Sequence, residues 1–183
     1  MFAMFKARAE AVSAEVHRLA GREEAMELVL GLLQAEGVAD HAGARAVWAE
    51  SGFLSGLDRN ALARRLPGLR FDVTRENAAG AKVGITEMDW AIASTGTLAQ
   101  ASDRVEQRLA SSLTELHVAL ADPDRMLPDL PALFRKLGPA QTRYLALITG
   151  PSRTADIERV LTIGVHGPRR LVIVFVDGLK GGA

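Results

Sequence analysis

Apolar and polar positions change their rhythm along the chain. From Phe5 to Leu19, Lys6, Arg8, Glu10, Glu15 and Arg18 alternate with Ala, Val and Leu so that charge collects on one face, and the spacing predicts a helix. A second helix is predicted over Glu23–Ala35, with Met26, Leu28, Val29, Leu30, Leu32 and Leu33 as its apolar positions. Gly21 separates the two helices, and Gly37 stands where a helix C-terminus favours glycine. Ala46–Ala49 reads as a short strand. Asp58–Leu66 reads as a short helix, capped by Asp58 and stopped by Pro67-Gly68.

Beyond this the period shortens. Lys82–Thr86 is a β-leaning run containing Gly84. Trp90–Ala93 and Leu98–Ala101 are two short apolar runs around Ser94-Thr95-Gly96-Thr97, the pattern of an antiparallel hairpin. Helix and strand then alternate. Helices are expected at Arg104–Ser111, Pro128–Leu137 and Thr154–Leu161, and strands at Leu116–Leu120, Arg143–Thr149 and Leu171–Val176. Such alternation implies right-handed crossovers and a mostly parallel sheet covered by helices on both sides. The reading is therefore an α/β protein of one domain over residues 1–183, helical over 1–66 and with an α/β core over 82–177. Residues 72–81 and the tail after Gly178 are expected to be the least ordered.

Composition narrows the function. Lys+Arg and Asp+Glu both number 22, so no basic stripe for nucleic acid is expected. The 183 residues include no cysteine, which excludes disulfides, a thiol nucleophile and thiolate-ligated zinc or iron–sulfur sites on them. The charges of the first helix leave no continuous apolar segment for export, and no run approaches the roughly 20 residues of a membrane span. A cytoplasmic location is expected. The histidines at 17, 41, 117 and 166 lack metal-ligand spacing, so no metal site is expected, and His117 reads as a core residue of its strand. Nucleophile-elbow, Walker and dinucleotide fingerprints are absent from the sequence.

Candidate chemistry falls on three loops. In open α/β sheets ligands sit beyond the carboxyl ends of the strands. That rule selects Gly150–Asp156, where Ser152, Arg153 and Thr154 open the helix expected next and are ligand-binding candidates. Helix capping accounts for Ser152 and Thr154 equally well. The second loop, Gly164–Arg170, carries His166, a candidate for proton chemistry or for a turn hydrogen bond. Because it leads into a strand, it is expected at the opposite end of a parallel sheet from the first loop. The third loop offers Thr95, Gly96 and Thr97 as an anion nest or an ordinary turn, with Glu87 and Asp89 upstream as possible general bases.

The segments Gly84-Ile85-Thr86, Ala91–Thr97, Thr149–Glu158 and Gly164-Val165-His166-Gly167-Pro168 follow one another in this order. The series resembles the LUD-domain family of lactate utilization protein C, closely over Lys82–Asp177 and more loosely over the N-terminal helices. The chain is shorter than that family before Lys82, and Ser94 stands where the family pattern A-E-T-G-T has an acid. The resemblance implies an architecture similar to sugar-phosphate isomerases and CoA transferases (NagB/RpiA/CoA-transferase-like). It also implies a role in oxidising L-lactate to pyruvate together with iron–sulfur cluster proteins. That oxidation needs a two-electron acceptor, which side chains do not supply. With neither cysteine nor a dinucleotide fingerprint, the chain is expected to hold no cofactor and to be an accessory, non-redox component binding a small carboxylate or a partner protein. The alternative is a stand-alone isomerase- or acyl-transferase-like enzyme on a phosphorylated or CoA-linked substrate, with Glu87, Asp89 or His166 as base.

Overall fold

The computed structural model describes residues 1–138, 141–154, 162–163 and 166–179. The elements are α1 (Phe2–Ala11), β1 (Glu15–Leu19), α2 (Arg22–Ala35), β2 (Arg45–Trp48), α3 (Arg59–Arg65), β3 (Leu69–Arg70), α4 (Arg75–Ala79) and β4 (Ala81–Met88). They continue with β5 (Trp90–Ile92), β6 (Thr97–Ala101), α5 (Val105–Ser112), β7 (Leu116–Ala121), β8 (Met126–Leu127), α6 (Leu130–Lys136), β9 (Leu145–Ile148), β10 (Arg153–Thr154), β11 (Thr162–Ile163) and β12 (Arg170–Val176). Six strands form a parallel sheet in the order β1-β12-β7-β4-β2-β3, and four form a second sheet, β8-β5-β6-β9.

The core follows the period of the strands. In β12, Val172, Val174 and Val176 face α2, packing with Val29, Leu30 and Leu33. Leu171, Ile173 and Phe175 face the other way, against Phe5 and Ala9 of α1 and against Ala91 and Leu98 of the second sheet. The mixed α/β architecture with a parallel sheet, flanking helices and an antiparallel β5–β6 hairpin is thus as expected. Gly37 ends α2 with φ +70°, and the Val38 N–H returns to the Leu33 carbonyl. The Asp58 side chain caps α3 by accepting from the Ala61 N–H.

Three segments differ from expectation. The predicted helix Phe5–Leu19 stops at Ala11, Ser13 takes φ +69°, and Glu15–Leu19 becomes the edge strand β1. Pairing with β12 overrides the local helical pattern. Arg170 of β12 donates to Glu15 (2.8 Å, Nη2 to Oε2) and to Glu36 (2.7 Å), and Lys82 of β4 reaches Glu36 at 2.9 Å. The Arg170 guanidinium holds Glu15 below the usual carboxylate range, and Lys82 with Arg170 does the same to Glu36. Second, residues 72–81 are built into the fold: the Thr74 hydroxyl caps α4 and Ala78 is buried. Third, the strand expected at Arg143–Thr149 forms as β9 but pairs antiparallel with β6, outside the parallel sheet. The helix expected at Thr154–Leu161 lies outside the described residues from 155 onward, while the backbone of Arg153–Thr154 pairs with Thr162–Ile163.

Candidate functional site

The two suspected loops meet. The Ser152 N–H donates to the Pro168 carbonyl at 2.8 Å, which ties the loop after β9 to the loop before β12. The expectation of opposite ends assumed that β9 belonged to the parallel sheet. Because β9 belongs to the second sheet, its carboxyl end turns towards the amino ends of β7 and β12. A cavity of about 330 Å³ opens there. Its apolar wall includes Ile148, Pro151 and Leu171, and its polar groups include Ser111, His117, Thr149, Ser152 and His166.

His117 is the innermost of these, 1% exposed. Its Nε2 shares a 2.8 Å hydrogen bond with the Thr86 hydroxyl on the neighbouring strand β4. Burial pushes its pKa down to about 4, so the ring is neutral near pH 7. At the rim, Thr95, Thr97 and Thr149 form a chain of hydroxyls, 2.7 Å and 2.8 Å apart. The hairpin turn is thereby joined to the cavity wall. Gly96 and Gly150 serve close packing at α1: with φ of +66° and +75°, their α-carbons lie so near Ala9 N and Val12 O that an added Cβ would come within 2.4 and 2.6 Å. Arg153 turns the same way. Its guanidinium donates at 2.7 Å to the Val12 carbonyl and to the Ser13 hydroxyl, and it is not part of the cavity lining.

Glu87 and Asp89 lie elsewhere. From β2 the chain winds outward to β3, and from β4 it winds back through β7 to β12, so the winding reverses between β2 and β4. A crevice of about 470 Å³ opens at their carboxyl ends, lined by Glu50, Ser51, Glu87, Asp89, Arg104 and Gln107 among others. Glu87 accepts from the Phe53 N–H at 2.8 Å and Asp89 from the Ala101 N–H at 2.7 Å. Burial raises the Asp89 carboxyl above its ordinary range, against the opposing pull of that N–H and of Arg125. Glu50 is held low by its hydrogen bond to Arg59. The crevice is rich in acceptors and in negative charge.

The profile of the LUD domain matches residues 2–176. The chain belongs to the LUD domain family. Its relatives include lactate utilization protein C of Halalkalibacterium halodurans, 32% identical over 108 residues, which are 56% of this chain and 47% of that protein. Lactate utilization protein C 1 of Bacillus mycoides is 33% identical over 106 residues, 55% of this chain and 45% of that protein. The uncharacterized protein YkgG of Escherichia coli is 30% identical over 103 residues, covering 53% of this chain and 45% of that protein. Each match takes in about half of the relative's length. The crystal structure of a DUF162 family protein from Deinococcus radiodurans superposes with a TM-score of 0.65 at 18% identity, covering 97% of this chain and 96% of that one, and shows a shared fold.

Within this LUD domain, the sequence-predicted residues divide between two depressions. Ser152 and His166 line the cavity, Thr95 and Thr97 reach it through Thr149, and Glu87 and Asp89 line the crevice. Gly96 and Arg153 are engaged with α1, and the side chain of Thr154 lies outside the described residues. His117 was legible as a buried strand residue. Its place on the cavity wall follows only from β9 crossing in front of β7, for which the local pattern carries no signal. Among the described residues no helix is long and apolar enough to cross a membrane.

Proposed function

We propose that this chain serves a lactate utilization system as a component without a redox centre, holding a small carboxylate while iron–sulfur partner proteins carry the electrons. The observation that carries the reading is the match to relatives named lactate utilization protein C. Two features support it. Oxidising lactate to pyruvate releases two electrons and two protons, and the 183 residues hold no cysteine for a thiolate-ligated cluster. The cavity between the two sheets has the size and mixed lining of a small-ligand site.

Deleting the coding sequence in the source organism is expected to abolish growth on L-lactate as sole carbon source and to leave growth on pyruvate intact, with a plasmid copy restoring it. Unimpaired growth of the deletion strain on lactate would overturn the reading. Affinity purification of the tagged full chain from lactate-grown cells is expected to bring down proteins containing iron and acid-labile sulfide, and their absence would remove the partner assignment. The reading as an enzyme on a phosphorylated or CoA-linked substrate gains little from the crevice, where Glu50, Glu87 and Asp89 would repel a phosphate facing Arg104.

A further inference from the structure

We propose that the cavity binds a small 2-hydroxy acid hydroxyl-first, the second ring nitrogen of His117 pairing with the hydroxyl and the carboxylate remaining at the rim. The inference deepens the lactate reading, which supplies its probes. The cavity lining contains no Lys, Arg, Asp or Glu among the described residues. A carboxylate drawn to its floor would lose its water and find no cation in exchange, which is strongly unfavourable. The exposed polar residues Ser112, Thr149 and His166 stand at the rim, where a carboxylate keeps its hydration and meets donors.

The floor asks for the opposite chemistry. Ser111 donates its hydroxyl to the Gln107 carbonyl at 2.9 Å. His117 Nε2 is engaged by Thr86, which leaves Nδ1 as its remaining polar atom, with no partner among the described residues. A neutral imidazole presents one donor and one acceptor, so Nδ1 takes whichever role Nε2 leaves. A hydroxyl satisfies either role, because it both donates and accepts. A keto oxygen satisfies only an Nδ1–H. The apolar wall of Ile148, Pro151 and Leu171 receives the short carbon body. L-lactate, pyruvate and propionate therefore form a graded series, presenting at the same carbon a hydroxyl, a keto oxygen and no oxygen.

The test is a titration of the full chain, ¹⁵N-labelled at histidine, with each of the three acids, following the ring nitrogens of His117 by NMR and the affinities by calorimetry. L-lactate is expected to shift the His117 Nδ1 resonance and to bind about tenfold or more tightly than propionate, the margin of one hydrogen bond to a buried polar group. In His117→Phe the two acids are expected to bind within about twofold of each other. An unmoved His117 resonance at saturating L-lactate, equal affinity for L-lactate and propionate, or no binding of L-lactate would each overturn the inference. The first two readouts use the unsubstituted protein, so a variant that fails to fold does not blunt them. Loss of growth on lactate in the deletion strain alongside a failed titration would refute this site and leave the lactate role standing.

Discussion

Gly84 lies in β4 directly beneath the end of α5. A Cβ there would fall 1.9 Å from the Ala110 carbonyl oxygen and 2.8 Å from the Thr114 hydroxyl, so strand and helix cannot both stay in place once a methyl is added. Gly84→Ala is expected to cost about 3 kcal/mol or to prevent folding, read from urea unfolding. His117 makes a different prediction. Its pKa falls from 6.5 to about 4 on folding, so between those values the unfolded chain holds more protons than the folded one. Its stabilising contribution is complete above about pH 6.5 and is lost as the pH falls towards 4. His117→Phe should flatten the dependence of unfolding free energy on pH across that window, and an unchanged slope would place its origin in other groups. The motif residues were legible as a series, but their separate tasks were not. Gly96 and Gly150 read as parts of ligand loops, yet their backbone makes room for α1, because a glycine signals close approach without naming what approaches.

At the level of elements, the loop after β9 is held by the chain's other end. The Arg153 guanidinium caps the C-terminus of α1 through the Val12 carbonyl and the Ser13 hydroxyl. Arg153→Ala is expected to lower stability by about 1 kcal/mol while leaving L-lactate affinity within twofold. A large loss of affinity with unchanged stability, by calorimetry and thermal melting, would return Arg153 to the ligand site. Elements whose signals are local were readable: the α2 C-terminus through Gly37, the α3 cap through Asp58, and the hairpin through its alternation around Gly96. Elements decided by distant partners were not. The residues of β1 carry the pattern of a charged helix, and only the parallel pairing with β12 and the Arg170 ion pair make them a strand. For β9 the strand was readable and its sheet was not, since an apolar run does not say which edge it will join.

For the whole molecule, the parallel sheet has a polar depression at each end. The acceptor-rich crevice lies where the winding reverses, and the cavity, free of Lys, Arg, Asp and Glu among the described residues, lies where the second sheet overhangs the amino ends of β7 and β12. The general rule for open α/β sheets points to the first, and the convergence of the motif loops points to the second. The two-sheet arrangement resolves that tension by bringing the carboxyl end of β9 over the amino ends of β7 and β12. Phe2 and Phe5 of α1 pack edge-on to Phe175 of β12, with ring centroids 5.4 and 5.1 Å apart, and so close the same side of the molecule.

A ribosome delivers α1 and β1 long before β12, the strand that β1 pairs with and α1 packs on. Their late partners include Phe175, Gly150, Arg153 and residues Val172–Val176 of β12, separated from them by most of the chain. The parallel strands of the centre can assemble as they emerge, but the opening segment must wait, its apolar residues exposed, until β12 has been made. Until residue 170 emerges, the nascent chain therefore carries neither a finished sheet edge nor a complete cavity lining, and its exposed apolar surface is prone to aggregation.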